Sequence, residues 1–180
     1  MVGTRRAEDG DAPYRGTGGV PIDTFWRKLA FGLRFGDLEP ITSDYLTKRS
    51  KVLYLRGIHE RVAEIAPFLS WDHDPYPVLL DGRIQYVVDG YTTSAAYPYG
   101  QAAEVSDLDP GSDLAGQRFN YLRNSVKAVV DAYDGTVTMY MTDDLYGQPD
   151  PVIHAYARAF PELLRPSSAM PRDLRSHLRY

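Results

Sequence analysis

The stretch "WDHDPYP", residues 71–77, sets Asp72, His73 and Asp74 side by side. Carboxylate and imidazole are both ligand types for a divalent cation. In an extended chain successive side chains point to opposite faces, so Asp72 and Asp74 could share an ion while His73 turns away. A polar turn before a strand, with Asp74 restrained by Pro75, accounts for the same residues without a metal. A second acidic stretch, "DLDPGSD", places Asp107, Asp109 and Asp113 around Gly111. It fails as an EF-hand loop, which needs an acidic fifth position, Gly at the sixth and Glu at the twelfth; Gly111, Ser112 and Arg118 stand there. Asp72, Asp74, Asp107, Asp109 and Asp113 are the metal-ligand candidates. No organic cofactor is predicted, and a divalent cation is the only ligand of this kind left open.

Nucleophilic chemistry finds less support. Thr93 and Ser94 lack a G-x-S-x-G elbow and a recognisable base nearby. His59, His73, His154 and His177 are far apart in sequence and form no H-E-x-x-H spacing, so helix faces and loop surfaces account for them. Asp89, Asp143 and Asp144 offer carboxylates whose pairing depends on the fold. The catalytic residues stay unknown.

The tyrosines carry more information. There are 14, and Tyr86, Tyr91, Tyr97 and Tyr99 crowd around Pro98. A broad apolar ring with a wet polar tip suits burial under a loop, a partner interface or a membrane interface. Trp26, Tyr91, Tyr97 and Tyr99 are therefore the candidate interaction surface. Arg165, Arg172, Arg175 and Arg179 make the C-terminal stretch locally basic, a solvated face or an attraction for anionic headgroups.

Composition bounds the rest. A chain of 180 residues, 43% apolar and 24% charged, is ordinary globular material with enough apolar content for a core. A formal charge of -4 offers no basic footprint, so nucleic acid is not expected as a partner. Absence of cysteine excludes disulfides and thiol chemistry and leaves the compartment open. Every apolar run breaks well short of the ~20 residues that cross a bilayer, and "MVGTRRAEDGDAPY" has no signal-peptide core, so the chain reads as soluble.

The elements that must position these residues follow from periodicity. Residues 1–20, ending in "RGTGGV", read as a flexible or docked segment. A single domain is expected over 21–180. Pro21 with Asp23 or Thr24 opens a helix in which Phe25, Leu29 and Leu33 share a stripe. Trp26 and Phe31 lie off it, so the helix is buried on two sides or touches something outside the chain. Val52 to Leu55 reads as a strand, then a helix from Gly57 with Ile58, Val62, Ile65 and Leu69 on one face. "PVLLDGRIQYVV" is a hairpin turning at Asp81-Gly82, with Leu79 opposite Ile84 and with Tyr86 and Val88 on the same, core side. Residues 91–118 read as a long irregular stretch, a length that is usually functional or disordered. A helix with Leu122, Val126, Val129 and Tyr133 on one side, a strand of alternating Val137, Met139 and Met141, and a helix with Val152 and Tyr156 inward complete the pattern. The fold class is α+β: a small, mostly antiparallel or mixed sheet with helices packed on one side.

Several segments together, "GTGGVPID", "APFLSWDHDPYPVLLDGRIQYVVDGYTTS", "YPYGQ", "FNYLRNSVKAVVDAYDGTV", "DPVIHAYARAFPELL" and "MPRDLRSHLRY", resemble the bacterial uncharacterised protein family UPF0182 in the same order, from about Gly16 onward. Members of that family look like multi-pass membrane proteins with a large soluble region. The resemblance implies that this chain is a fragment of that soluble region, extracytoplasmic and attached to a cell-membrane parent. It supplies no activity and no catalytic residues. The expectation is a non-enzymatic binding or interaction module whose partners are the rest of the parent protein or the membrane surface, with homo-oligomerisation left open. The alternative is a metal-assisted hydrolase or calcium-dependent binding domain built on the clustered Asp residues.

Overall fold

The computed structural model describes residues 14–37, 39–42, 46–47, 49–105, 107–108, 111–147 and 149–179, with Pro40, Asp144 and Tyr146 described in backbone only. Asp109 lies outside the described residues.

The core is one mixed sheet built around a long hairpin. β3 (Ser70–Trp71) and β4 (Tyr76–Leu80) lie along the same edge of β5 (Arg83–Ser94). The turn between β4 and β5 is the expected one: Asp81 and Gly82 take φ of 50° and 73°, the left-handed pair that matches strand twist. Leu79 does face Ile84, but both stand exposed at the hairpin tip, beyond the reach of any covering helix. β5 pairs with β6 (Tyr121–Asp131), β6 with β7 (Val137–Met141), both antiparallel, and β7 with β8 (Leu164–Arg165) in parallel. The fold is α+β.

The structure departs from the sequence expectation at two places. Residues 121–131 form the strand β6, not a helix. The helical spacing of Leu122, Val126 and Val129 is a coincidence of a central strand covered on both faces: residues 125–130 are all buried, apolar and polar alike, so burial does not alternate and the apolar positions on the two faces, Val126 and Val129 among them, also fit a helical period. Residues 91–94 belong to β5, so the irregular stretch starts only at 95.

One face of the sheet presents Val88, Val126, Ala128, Val130, Met139 and Met141 to α3 (Ile58–Ile65) and α5 (Pro151–Ala159), which contribute Val62 and Ile153. The other presents Val87, Val129 and Tyr140, with Tyr76, Val78 and Leu80, to the short α6 (Arg172–Ser176), through Leu174 and the preceding Met170. Each large side chain fully buried in this way, Trp71, Met139 or Ile153, contributes about 1.5–3 kcal/mol. Trp71 needs a specific accommodation. Its ring lies against Gly90, where a Cβ would come within 2.7 Å of Cζ3, and the β5–β6 register shifts at Gly90/Tyr91.

The N-terminal part docks on this core. β1 (Val20–Pro21) pairs antiparallel with β2 (Lys51–Val52), and Tyr14 lies 5.3 Å from the Tyr133 ring. Thr24 caps α1 (Phe25–Phe35) by accepting from the Arg27 N–H at 3.4 Å, and Gly36 ends it in the left-handed conformation. α1 approaches α2 (Glu39–Thr42) at Gly32, where an added Cβ would meet the Ile41 side chain at 3.2 Å. Phe31 packs edge-on against Tyr54 at 5.9 Å. Of the Phe25–Leu29–Leu33 stripe, Leu29 is half-buried while Phe25 and Leu33 stand outward, 60% and 73% exposed.

Candidate functional site

The chemistry-bearing residues converge where the 95–120 loop returns over the first turn of α3. His59 sits on that turn, His73 in the break between β3 and β4, and Asp113 in the loop. The His59 Nε2 lies 3.2 Å from Asp113 Oδ2, and the His73 Nε2 lies 3.0 Å from Asp113 Oδ1. The two imidazoles stack with centroids 3.9 Å apart. Among the described residues, these three form a group whose ligand atoms all lie within 4.8 Å of one another.

Asp113 is fixed before any ligand arrives. The Trp71 backbone N–H donates to its Oδ2 at 3.0 Å, and Gln117 donates to its carbonyl while also reaching Ser70 Oγ at 3.2 Å. Burial by itself pushes the Asp113 carboxyl up; the Trp71 N–H, then His73 and His59, reverse that and hold it below the usual carboxylate range. It is a charged acceptor at neutral pH, half-buried at the edge of the sheet.

The other metal-ligand candidates lie elsewhere. Asp72 Oδ1 accepts from the Asp74 N–H at 3.1 Å in a local turn, and its backbone N–H bonds the Asp89 carbonyl at 2.9 Å. Asp74 and Asp107 are exposed. Among the described residues, Asp113 is the candidate carboxylate that joins the cluster, and the histidine expected to turn away from Asp72 and Asp74 is the one that meets it. His59 carried no local signal, since it is 14 positions from His73 and 54 from Asp113.

The aromatic candidates divide. Trp26 is 75% exposed on α1, and Tyr99 is fully exposed with a positive φ of 59°. Tyr97 is half exposed and stacks on Tyr121 at 5.0 Å, its N–H held by Asn120 Oδ1. Tyr91, on β5, is half-buried; burial and then the neighbouring Asp72 and Asp89 carboxylates push its hydroxyl up to about 12. Tyr91 is thus a permanent donor within the sheet's polar end.

Two further polar arrangements hold the loop's roots. Asp150, 1% exposed, caps α5: its Oδ1 accepts from Tyr121 at 2.6 Å and the Val152 N–H at 2.9 Å. Its Oδ2 accepts from Thr92 at 2.6 Å and from Ser125. The Asp-Pro pair at 150–151 was a readable helix start. On the α6 face Lys127, fully buried, donates to both Asp89 oxygens at 2.7 Å, and Asn124 donates to the second at 2.8 Å.

The chain as a whole is similar to known proteins. The model of the uncharacterised protein family UPF0182 matches residues 3–180. The chain belongs to UPF0182. A UPF0182 protein of Frankia casuarinae is 42% identical over 100% of this chain and 19% of its own length. One of Rhodococcus jostii is 44% identical over 93% of the chain and 17% of its own, and one of Trichodesmium erythraeum is 42% identical over 98% and 20%. The chain therefore spans about a fifth of the length of the curated UPF0182 relatives it matches. No solved structure matches it. No helix among its described residues is long and apolar enough to cross a membrane.

Proposed function

We propose that this UPF0182 segment is a non-enzymatic, extracytoplasmic interaction module of a multi-pass membrane protein, and that α1 is the element that rests on the membrane surface. The observation that carries the reading is the outward arc of α1. At ~100° per residue, positions 25, 26, 29, 30 and 33 fall on one side of the helix, opposite Phe31, while Gly32 lies at the edge of that arc beside Phe25 and meets α2. That side presents Phe25, Trp26 and Leu33 at 60%, 75% and 73% exposure. Arg34 borders it, Arg27 and Lys28 stand about equally far round on its two flanks, Arg27 paired with Asp23 Oδ1 at 2.7 Å, and no acidic residue occurs within the helix. Aromatic and aliphatic side chains edged by cations fit the boundary between anionic headgroups and acyl chains. An acidic or neutral protein surface would use the cations but not the width of apolar arc.

Tryptophan reports the contact directly. The chain has 2, and Trp71 is 1% exposed, so any change on adding vesicles belongs to Trp26. Vesicles containing phosphatidylglycerol are expected to blue-shift Trp26 emission and to carry the chain down on sedimentation, whereas pure phosphatidylcholine vesicles do so weakly. Leu33→Glu should abolish both effects. Unchanged emission and no co-sedimentation with anionic vesicles would overturn the membrane reading and leave α1 as a contact for another part of the protein.

A further inference from the structure

We propose that His59, His73 and Asp113 form a site for one divalent transition-metal ion of the zinc class, which fastens the 95–120 loop to α3 and to the edge strand of the sheet. This stands apart from the reading of α1; failure of vesicle binding leaves it untouched, and loss of metal binding leaves α1 untouched.

The spacing of the three groups suits a metal shell. Zinc takes imidazole nitrogen and carboxylate oxygen at about 2.0–2.2 Å, so neighbouring ligand atoms in a tetrahedral shell sit about 3.3 Å apart. The Nε2-to-carboxylate separations here are 3.2 and 3.0 Å, and the whole set fits within 4.8 Å. Small outward movements of the two rings make room for the ion.

Both imidazoles direct Nε2 at one carboxylate and their rings stack 3.9 Å apart, so ligand atoms from three separate parts of the chain converge on one spot.

The ligand types choose the ion. Calcium and magnesium take six or more oxygens and little nitrogen, and the cluster offers one carboxylate and two imidazoles. Two nitrogens and one oxygen suit zinc and its transition-metal neighbours. The supporting contacts are also of the right kind. The Trp71 N–H and Gln117 hold Asp113 in place, the service that outer groups perform for metal ligands. Three protein ligands leave a fourth position, on the side where the His73 side chain is 45% exposed, for water or a donor from elsewhere.

Chelator-stripped chain titrated with zinc against a chromophoric chelator is expected to bind one ion per chain. The melting temperature should rise with zinc and stay unmoved by calcium or magnesium. His73→Ala and His59→Ala should each weaken zinc by about tenfold or more, the scale on which even supporting residues act. Asp113→Asn, which retains an acceptor for the Trp71 N–H, should do likewise while the far-UV signal stays native. His177→Ala, remote in sequence on the C-terminal segment, should change nothing, and cobalt should give the intense visible bands of a tetrahedral centre. Absence of zinc binding, or binding that survives both His59→Ala and His73→Ala, would overturn the assignment.

Discussion

Replacing Asp150 tests how far one buried carboxylate holds the domain together. Its two oxygens join three elements: Thr92 on β5, Tyr121 and Ser125 on β6, and the first turn of α5. Asp150→Ala removes a helix cap, worth about 1–2 kcal/mol. It also strips a charged acceptor from three hydroxyls, each worth about 1.5–3 kcal/mol in isolation. The two costs do not add in full, because Thr92 and Ser125 remain within 2.8 Å of each other and keep a mutual bond. We expect a loss of about 3–5 kcal/mol, read as a lower urea midpoint with unchanged slope. Asp150→Asn keeps an acceptor for Tyr121 and the Val152 N–H and turns a donor toward Thr92 and Ser125, whose hydroxyls can rotate to accept. It should lose about 1–2 kcal/mol.

The pH dependence separates charge from shape. Burial raises the Asp150 carboxyl, but bonds from Ser125, Thr92, Tyr121 and the Val152 N–H outweigh it and hold the group below its ordinary value. In the unfolded chain Asp titrates near about 3.9. A carboxyl depressed on folding gives stability that is complete above that value and disappears as the pH falls through the lower, folded value. The wild-type chain should therefore lose more stability than Asp150→Asn on acidification below about pH 4, so the two urea midpoints converge. Parallel midpoints from neutral pH downward would refute the claim that the ionised form holds the network.

Two other substitutions probe the sheet itself. Lys127→Ala leaves Asp89 half-buried without its cation and should cost about 3–5 kcal/mol, whereas the pair Lys127→Met with Asp89→Leu should recover much of it; a double-mutant cycle by urea unfolding measures the coupling, and equal losses in single and double variants would refute it. Gly90→Ala drives a Cβ to within 2.7 Å of the Trp71 ring and should destabilise by about 1–3 kcal/mol with a shift of the buried tryptophan emission, while an unchanged melt would mean that the ring is not seated there.

The fold was legible where a single local signal decided the matter. Asp81-Gly82 named its turn, Gly57 and Val62 their helix, and interleaved helices and strands the α+β class. The signal failed at β6 for a physical reason. Val126, Ala128 and Val130 face α3 and α5 while Val129 faces α6, so burial on both sides put apolar residues on both faces and left a pattern that helical spacing also fits. It failed at α1 in the opposite sense. Phe25, Leu29 and Leu33 made a proper stripe, yet Gly32 and Phe31 supplied the docking face, since a glycine permits the approach of α2 that larger residues would block.

The candidate site was legible only in fragments, because its members meet through tertiary structure. Asp113 was visible in an acidic loop and His73 in "WDHD", but nothing in the chain ties either to His59 before α3 and β3 take their places. The loop that carries Asp113 spans residues 95–120, a length that costs little in closure entropy yet leaves a mobile segment unless something fixes it. Its two roots are fixed by Asn120, whose backbone N–H bonds the Ser94 carbonyl at 2.9 Å and whose side chain bonds the Tyr97 carbonyl at 2.8 Å. Tyr121 then joins them to Asp150. Far from those roots, the loop is held to the sheet at Asp113, by the Trp71 N–H and the two histidines. The loop is thus secured at its base by backbone pairing and along its course by Asp113, shared between two imidazoles, and by Gln117, which reaches Ser70 Oγ at 3.2 Å.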